Sequence, residues 1–218
     1  MRVLAVDTTS SRGSLAVVDD SAVLAETHVV TDAGHSRWLL PAVDAVLRGL
    51  GIGAAELDLF AVTSGPGSFT GLRVGLGTVQ GLSLASRRPC LGVSTLDVVA
   101  HGVASASGPI VALLDAFRGE VFWAVYDAAG RLQGERSVGP LEAALASAAA
   151  GSAFVGNAAL ANREAIRAAV AGACFPDASD FLAATLGRLA LARAQEAGPP
   201  AALQPIYLRG AAIRPSRA

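Results

Sequence analysis

The first hundred residues alternate between strand-like and helix-like spacing of hydrophobic positions. Residues 3–6 are wholly apolar and end at Asp7, a pattern typical of a buried central strand. Short or alternating apolar runs predict further strands at residues 14–18, 22–30, 57–62 and 90–93. Helical spacing predicts helices over residues 35–50, 69–86 and 95–103. This order predicts three antiparallel strands followed by alternating helices and strands.

The second half of the chain repeats this pattern at an offset of 108 residues. VLAVD at residues 3–7 matches VALLD at 111–115, and AVVD at 16–19 matches AVYD at 124–127. A third strand is then predicted over 131–138, with short strands at 153–155 and near 174–175 and helices over 140–149, 158–171 and 180–196.

This duplication predicts an α/β fold of two ribonuclease-H-like lobes, each a mixed sheet flanked by helices. It is the architecture of the duplicated actin-like ATPase-domain fold. We expect residues 1–105 to form the N-terminal lobe and 106–218 the C-terminal lobe, with the boundary near 104–108. The last residues, about 197–218, are expected to pack back on the N-terminal lobe.

Composition restricts the function classes. The chain has 218 residues, of which 52% are hydrophobic, yet no apolar run reaches the roughly 18 residues that a membrane span needs. The start of the chain reaches Asp7 too early for a signal peptide, so we expect a cytoplasmic protein without a membrane partner. A formal net charge of −1 argues against an autonomous nucleic-acid binder. Cys90 and Cys174 lack metal-ligand spacing.

The most unusual stretch is VTSGPGSFTGLRVGLGTVQGLSLA, at residues 62–85. It predicts a strand end, a glycine-rich loop and a helix that Ser68 or Thr70 can cap. The helix contains two pairs of glycines, each spaced by four residues: Gly71 and Gly75, then Gly77 and Gly81. An interior helical glycine costs roughly 1 kcal/mol relative to alanine. We therefore expect the small-residue face of this helix to pack closely against another surface.

The loop and two strand-ending aspartates are also a candidate site for an anion or a nucleotide. Free amides at a helix N-terminus suit an anion, and aspartates at strand ends can orient a magnesium-bound phosphate. The candidate residues are Asp7, Thr8, Gly65, Gly67, Ser68, Asp115 and Arg118. The structural alternative is a plain turn, with the aspartates accepting backbone amide bonds. It is favoured because no Gly-Lys-Ser/Thr follows the loop and Thr70 replaces the third glycine of a GxGxxG motif.

No residue pattern predicts a catalytic group, a metal or a cofactor. His28, His35 and His101 lack a partner four residues away, and the motif Gly-x-Ser-x-Gly does not occur. The sequence therefore predicts no catalytic residue, no metal site and no cofactor.

Six segments together resemble the TsaB family, also called YeaZ: VLAVDTTSSRGSLAV, HSRWLLPAVDAVL, VTSGPGSFTGLRVGLGTVQGLSLA, LGVSTLD, LLDAFRGEVFWAVY and PIYLR. The resemblance implies a non-catalytic partner, or scaffold, in the bacterial complex that makes N6-threonylcarbamoyladenosine at position 37 of tRNAs reading A-starting codons. The implied partners are a TsaD-type catalytic subunit and a TsaE-type ATPase, with a homodimer when alone and tRNA only through the complex. The alternative, from another class, is a small-molecule kinase or ATPase of the actin-like fold.

The resemblance also bears on catalysis. The TsaD-type relative carries a metal-binding HxxxH pair after the strand that follows the glycine-rich helix. Thr95 and Val99 stand at the corresponding positions of this chain, and neither can replace an imidazole on a metal. By resemblance, the chain is therefore not itself an enzyme.

By the same resemblance, the helices at about 36–50 and 69–86 form the association surface. The residues expected there are Trp38, Leu39, Val43, Leu47, Leu72, Gly75, Leu76 and Val79. On this basis Gly75→Leu or Gly77→Leu should weaken association more than folding. Three arginines, Arg73, Arg118 and Arg209, could approach tRNA phosphates, but ion pairs along the lobes are the favoured interpretation.

Overall fold

The computed structural model describes residues 1–103 and 108–208 and contains two mixed β-sheets. The N-terminal sheet has the strand order β3-β2-β1-β4-β5. Its strands are β1 Arg2–Asp7, β2 Arg12–Asp19, β3 Val23–Val30, β4 Leu59–Gly65 and β5 Cys90–Ser94. β1 pairs antiparallel with β2 and parallel with β4, which places the carboxyl ends of β1, β4 and β5 at one edge.

The C-terminal sheet repeats this arrangement with the order β8-β7-β6-β9. Its strands are β6 Ile110–Asp115, β7 Glu120–Tyr126, β8 Leu132–Pro140 and β9 Ala153–Val155. β6 takes the place of β1 at the predicted offset of 108 residues, again antiparallel to one neighbour and parallel to the other. The α/β class and the duplication are therefore confirmed. The strand predicted near 174–175 is a single bridge between Ala153 and Cys174.

Helices cover both sheets, and most of them are shorter or more broken than predicted. The helices are α1 Leu39–Gly49, α2 Phe69–Ser86, α3 Thr95–His101, α4 Leu141–Ala146, α5 Asn157–Ala161, α6 Arg163–Ala169 and α7 Ala183–Ala192. The helix predicted over 158–171 divides at Asn162, whose side chain donates to the Ala158 carbonyl at 2.8 Å and competes with the backbone. A short 3-10 helix, His35–Arg37, precedes α1.

The two faces of the N-terminal sheet belong to different cores. Leu4 and Val6 face α1 and α2, whereas Val3 and Ala5 face α3 and α7. The second of these cores continues into the C-terminal lobe through residues such as Ala112 and Tyr126, so it joins the two lobes.

The lobe assignment of α7 needs correction. It lies in the sequence range expected to form the C-terminal lobe, yet it packs on β1 and β2 of the N-terminal sheet. The Ala183 amide donates to the Ser14 hydroxyl at 3.0 Å, and Gly187 leaves no room for a side chain against Val18. The chain thus returns to the N-terminal lobe by residue 183 rather than at about 197.

The chain beyond α7 stays on the N-terminal lobe as far as residue 208. Gly198 pairs with Cys90, Gln80 donates to the Pro200 carbonyl, and Leu203 is buried beside α2 and β5. The predicted boundary at 104–107 and the segment 209–218, which includes Arg209, lie outside the described residues. Among those that are described, no helix combines the length and hydrophobicity of a membrane span.

Candidate functional site

Asp7, the first nucleotide-site candidate, is enclosed by its own lobe. Its Oδ1 accepts three hydrogen bonds, from the Thr9 amide at 3.1 Å, the Thr9 hydroxyl at 2.7 Å and the Thr63 hydroxyl at 2.6 Å. Its Oδ2 is buried without a protein partner. Burial raises the pKa of the Asp7 carboxyl, although the threonine donors act in the opposite direction. Asp7 therefore braces the turn between β1 and β2 through Thr9 and Thr63.

The glycine-rich loop is filled by that same turn. The Ser68 amide donates to the Thr9 carbonyl at 2.7 Å, and a side chain at Gly67 would come within 2.6 Å of that oxygen. Gly65 is buried against the Ile206 carbonyl, close to the end of the described chain. Ser68 caps α2 through the Gly71 amide, as one of the two predicted caps. The loop is thus a packed turn, and Asp7, Thr8 and Gly65 are corrected from anion-facing to structural.

A cleft of about 990 Å³ does lie between the lobes. Of the candidate residues, Gly67, Ser68 and Asp115 line it, whereas Asp7, Thr8, Gly65 and Arg118 are not part of its lining. The Asp115 carboxylate accepts from the Phe117 amide at 2.9 Å, while the Asp115 amide donates to Asn157 at 3.0 Å. Asp115 therefore stabilises the turn between β6 and β7 by accepting a backbone amide bond, which is the role given to it in the structural alternative.

The helix that would carry the metal pair carries an ion-pair cluster instead. Thr95 and Val99 lie on α3, and among the residues the structure describes no three His, Cys, Asp or Glu side chains are grouped as metal ligands. Between them, the buried Asp97 binds Arg136, Arg193 and Tyr126. Sequence reasoning missed this cluster. Its one signal was a charged residue inside the apolar run of 93–103.

The two glycine pairs of α2 have opposite surroundings. A Cβ at Gly71 would overlap the Thr8 carbonyl oxygen, and one at Gly75 would overlap the Thr8 hydroxyl. Gly77 and Gly81 are exposed, and a Cβ at either would have no atom within 4 Å. The first pair therefore packs against the chain's own β1–β2 turn, and the second is open to the surroundings.

The predicted association residues are mostly buried inside the chain. Leu39, Val43 and Leu47 on α1 fill the same core as Leu76 and Val79 on α2. Leu72 is buried too, and Gly75 packs against Thr8. These seven residues are corrected from interface to core because the periodic apolar positions of a surface helix mark its buried stripe.

Trp38, the eighth predicted residue, is half-buried and anchors the start of α1. Its indole Nε1 donates to His35 Nδ1 at 3.0 Å, and His35 Nε2 lies 2.7 Å from the Ser10 carbonyl oxygen. The Trp38 and His35 rings both pack against Gly13 of β2, where any side chain would collide with them.

The outward faces of α1 and α2 carry a different set of residues. Leu40 on α1 is 56% exposed, and Leu84 on α2 is 71% exposed and lies on the same side of its helix as the open Gly77 and Gly81. At the N-terminal end of α2, the Arg73 guanidinium lies 3.9 Å from the ring centre of Phe69, which in turn contacts the Tyr207 ring. We call this set, with Gly77 and Gly81, the outer helix face: Leu40, Phe69, Arg73, Gly77, Gly81, Leu84 and Tyr207.

Comparisons with known proteins agree on a family. The model of the family described as "TsaD: tRNA N6-adenosine threonylcarbamoyltransferase" matches residues 29–188. The tRNA threonylcarbamoyladenosine biosynthesis protein TsaB of Escherichia coli is 39% identical over 128 residues, covering 58% of this chain and 55% of that protein. The TsaB protein of Bacillus subtilis is 31% identical over 126 residues, covering 58% of this chain and 55% of that protein. The matched region thus spans about half the length of these curated relatives.

Solved structures extend the likeness to nearly the whole chain. YeaZ from Pseudomonas aeruginosa superposes with a TM-score of 0.77 at 30% identity, covering 95% of this chain and 99% of that one. An inorganic polyphosphate/ATP-glucomannokinase from Arthrobacter superposes with a TM-score of 0.52 at 12% identity, covering 89% of this chain and 99% of that one. At that identity the kinase shows the common fold alone.

Proposed function

The chain belongs to the TsaB (YeaZ) family, within the wider TsaD-type family, and on that premise we propose that it is a non-catalytic partner subunit in tRNA threonylcarbamoyladenosine biosynthesis. In this role it binds and supports a TsaD-type catalytic subunit in the cytoplasm, together with a TsaE-type ATPase. It contacts tRNA only through that complex, and it forms a homodimer when alone.

The observation that carries this proposal is the outer helix face. Gly77 and Gly81 each cost roughly 1 kcal/mol of helix stability relative to alanine, and no contact within the described chain recovers that cost. Glycines on an open helix face allow another backbone to approach closely. The exposed Leu84, on the same side of α2, supplies apolar area for such a contact, and the exposed Leu40 adds apolar surface on α1.

Arg73, Phe69 and Tyr207 extend this face with residue types that anchor protein interfaces. Phe69 is 53% exposed and Tyr207 is 47% exposed, and the guanidinium of Arg73 holds the Phe69 ring in place. Tyrosine and arginine are enriched among the residues that contribute most to binding energy. This arrangement supports a protein partner for Arg73 rather than a tRNA phosphate.

The side chains on α3 and at the end of β1 support a subunit without a catalytic function. Thr95 and Val99 offer no imidazole to a metal, and the carboxylate of Asp97 is already bound by two arginines. The kinase or ATPase alternative would need Asp7 to face a magnesium-bound phosphate, but Thr9 and Thr63 enclose it. Calorimetry with ATP and magnesium tests that alternative: tight one-to-one binding with turnover would favour it.

The central experiment is reconstitution of the tRNA modification from purified TsaD-type and TsaE-type proteins, with and without this chain. We expect transfer of the threonylcarbamoyl group to tRNA only when the chain is present. Transfer by the chain alone, or full activity of the catalytic subunit without it, would contradict the proposal.

A variant separates assembly from folding. Gly77→Leu should abolish the stimulation and the formation of the complex in size-exclusion chromatography, without lowering the melting temperature. Ala143→Leu, at an exposed position on α4 of the other lobe, is the matched control and should leave both unchanged. An intact assembly with Gly77→Leu would show that the partner binds elsewhere.

A further inference from the structure

Donors from three separate elements converge on one buried carboxylate. Asp97 lies on α3, and its side chain is only 6% exposed. Arg136 on β8 donates to Oδ1 from Nε at 3.0 Å and from Nη2 at 2.7 Å, and Nη2 also lies 2.8 Å from Oδ2. Arg193 donates to Oδ2 at 3.2 Å, and the Tyr126 hydroxyl donates to Oδ1 at 2.8 Å. Both carboxylate oxygens are therefore bound.

The charges in this cluster are mutually stabilised. Burial and the negative charge of Asp97 raise the pKa of Tyr126 far above its usual range, which keeps the phenol protonated as a donor. Burial disfavours the charged form of Arg136, but the Asp97 carboxylate outweighs this and raises the pKa of the guanidinium. Breaking the cluster would therefore leave an unpaired charge in a site that water barely reaches.

The cluster spans the junction of the two lobes. α3 follows β5 of the N-terminal sheet, and Arg193 follows α7, which packs on that same sheet. Tyr126 ends β7 and Arg136 lies on β8, both in the C-terminal sheet. Each hydrogen bond from Tyr126 or Arg136 to Asp97 thus joins one lobe to the other. Around them, apolar residues of both lobes form one continuous core.

We propose that the Asp97 cluster fixes the angle between the lobes, so that the chain behaves as a rigid body and its cleft does not close on a ligand. A hinge motion would have to pull Arg136 and Tyr126 away from Asp97 or carry α3 out of the N-terminal core. The first movement leaves the buried carboxylate with only Arg193 of its three described donors, and the second separates it from Arg193 and exposes apolar residues of α3. The inference concerns the mechanics of this fold and stands independently of the partner proposed above.

The test measures the distance between the lobes by pulsed electron paramagnetic resonance. One spin label is attached to the exposed Cys174 and the other to Ala45→Cys on the exposed side of α1, in a Cys90→Ala background. The labelled protein, otherwise unaltered, is diluted with an excess of unlabelled chain, so that distances within one chain are measured. We expect a single narrow distance distribution, and no shift when magnesium and ATP are added as probe. Asp97→Asn should broaden and shift this distribution.

Asp127→Asn is the matched control. It makes the same chemical change in a carboxylate that pairs with Arg131 within one exposed turn of the C-terminal lobe, so the distribution should stay narrow. If Asp97→Asn fails to fold, Tyr126→Phe and Arg193→Gln each remove one donor and should give smaller broadening. A narrow, unshifted distribution in every folded variant would overturn the proposal, as would a broad distribution in the unaltered chain.

Discussion

The two glycine pairs of α2 have the same spacing, yet one pair packs inside the chain and the other is exposed. Gly71 and Gly75 allow the helix to lie directly on the β1–β2 turn, where Thr8 donates to the Gly71 carbonyl at 2.8 Å. Gly77 and Gly81 lie against no atom of the described chain. Since each residue advances an α-helix by about 100°, the offset of six residues between the pairs turns the second pair about 120° away from the first.

This difference teaches that a small residue in a helix has two separate meanings. The first pair is a requirement of folding, because Thr8 occupies the space that a side chain would need. The second pair lowers the stability of the isolated helix, and no contact with the described residues compensates for this loss. The compensating contact is therefore expected to come from a partner molecule. Substitutions at the four glycines test whether the two pairs separate in this way.

The largest effect is expected for Gly71→Ala. The new methyl group would overlap the Thr8 carbonyl, a backbone atom that cannot rotate away. Overpacking of this kind costs about 3 kcal/mol in free energy of unfolding, measured by urea denaturation of the purified chain. A stability equal to that of the unaltered chain would show that α2 can shift away from the turn.

A smaller loss, about 2 kcal/mol, is expected for Gly75→Ala. Here the obstructing atom is the Thr8 hydroxyl, and a Val62 methyl group lies 3.3 Å from the position that the new Cβ would take. The companion change Thr8→Ser tests the mechanism, since it keeps the hydroxyl while removing a methyl group beside the helix. The sequence predicted that Gly75→Leu would weaken association more than folding; from the structure we expect a loss of folding stability, because a larger side chain can only increase the overlap.

The second pair should show the opposite sign. Gly77→Ala and Gly81→Ala are each expected to raise the free energy of unfolding by about 1 kcal/mol, because alanine is the better helix former and nothing obstructs it. Thermal melting of the monomer checks this result. Destabilisation by either alanine would mean that these positions pack against the chain after all.

The smallest effect concerns Asp7, which braces the turn beneath the first pair. Its folded-state pKa is raised, so its contribution to stability is present at low pH and is lost as pH rises through the folded-state pKa. Asp7→Asn cannot ionise and keeps an oxygen that can accept from Thr9 and Thr63. Its change in free energy of unfolding at acidic pH should stay below about 1 kcal/mol.

Denaturation of both proteins across a pH series tests this prediction. Relative to Asp7→Asn, the unaltered chain should lose stability as pH rises from the usual aspartate range toward neutrality. Parallel curves would show that the Asp7 carboxyl titrates at its ordinary pKa in the folded chain.

Much of the architecture was predictable from local pattern. The apolar runs that end at Asp7 and Asp115 mark the two equivalent strands β1 and β6, and the three-strand order follows from short turns between them. Helical spacing located α1 and α2. These features depend on which residues are near each other along the chain, and a period of two or 3.6 residues is visible without a structure.

The candidate site was predicted less well, for a physical reason. The apolar stripe of α1, with Leu39, Val43 and Leu47, was assigned to an interface although such a stripe normally faces the core. Leu40 on α1 and Leu84 on α2 are exposed and lie outside the buried stripes of their helices, and neither was among the predicted association residues. Asp97 meets Arg136 and Arg193 across 39 and 96 residues, a distance over which no local pattern signals a contact.

The sequence by itself determined that α2 carries two glycine pairs on different sides, about 120° apart, because helix geometry follows from residue spacing alone. It also determined the duplicated order of strands. Only the tertiary structure decided which pair faces inward, since Thr8 reaches Gly71 from 63 residues away along the chain. Tertiary structure likewise decided that α7 returns to the first lobe and that Asp97 joins the two. Each of these features depends on contacts between segments that are distant in sequence. Such contacts form, and contribute to stability, only in the folded chain.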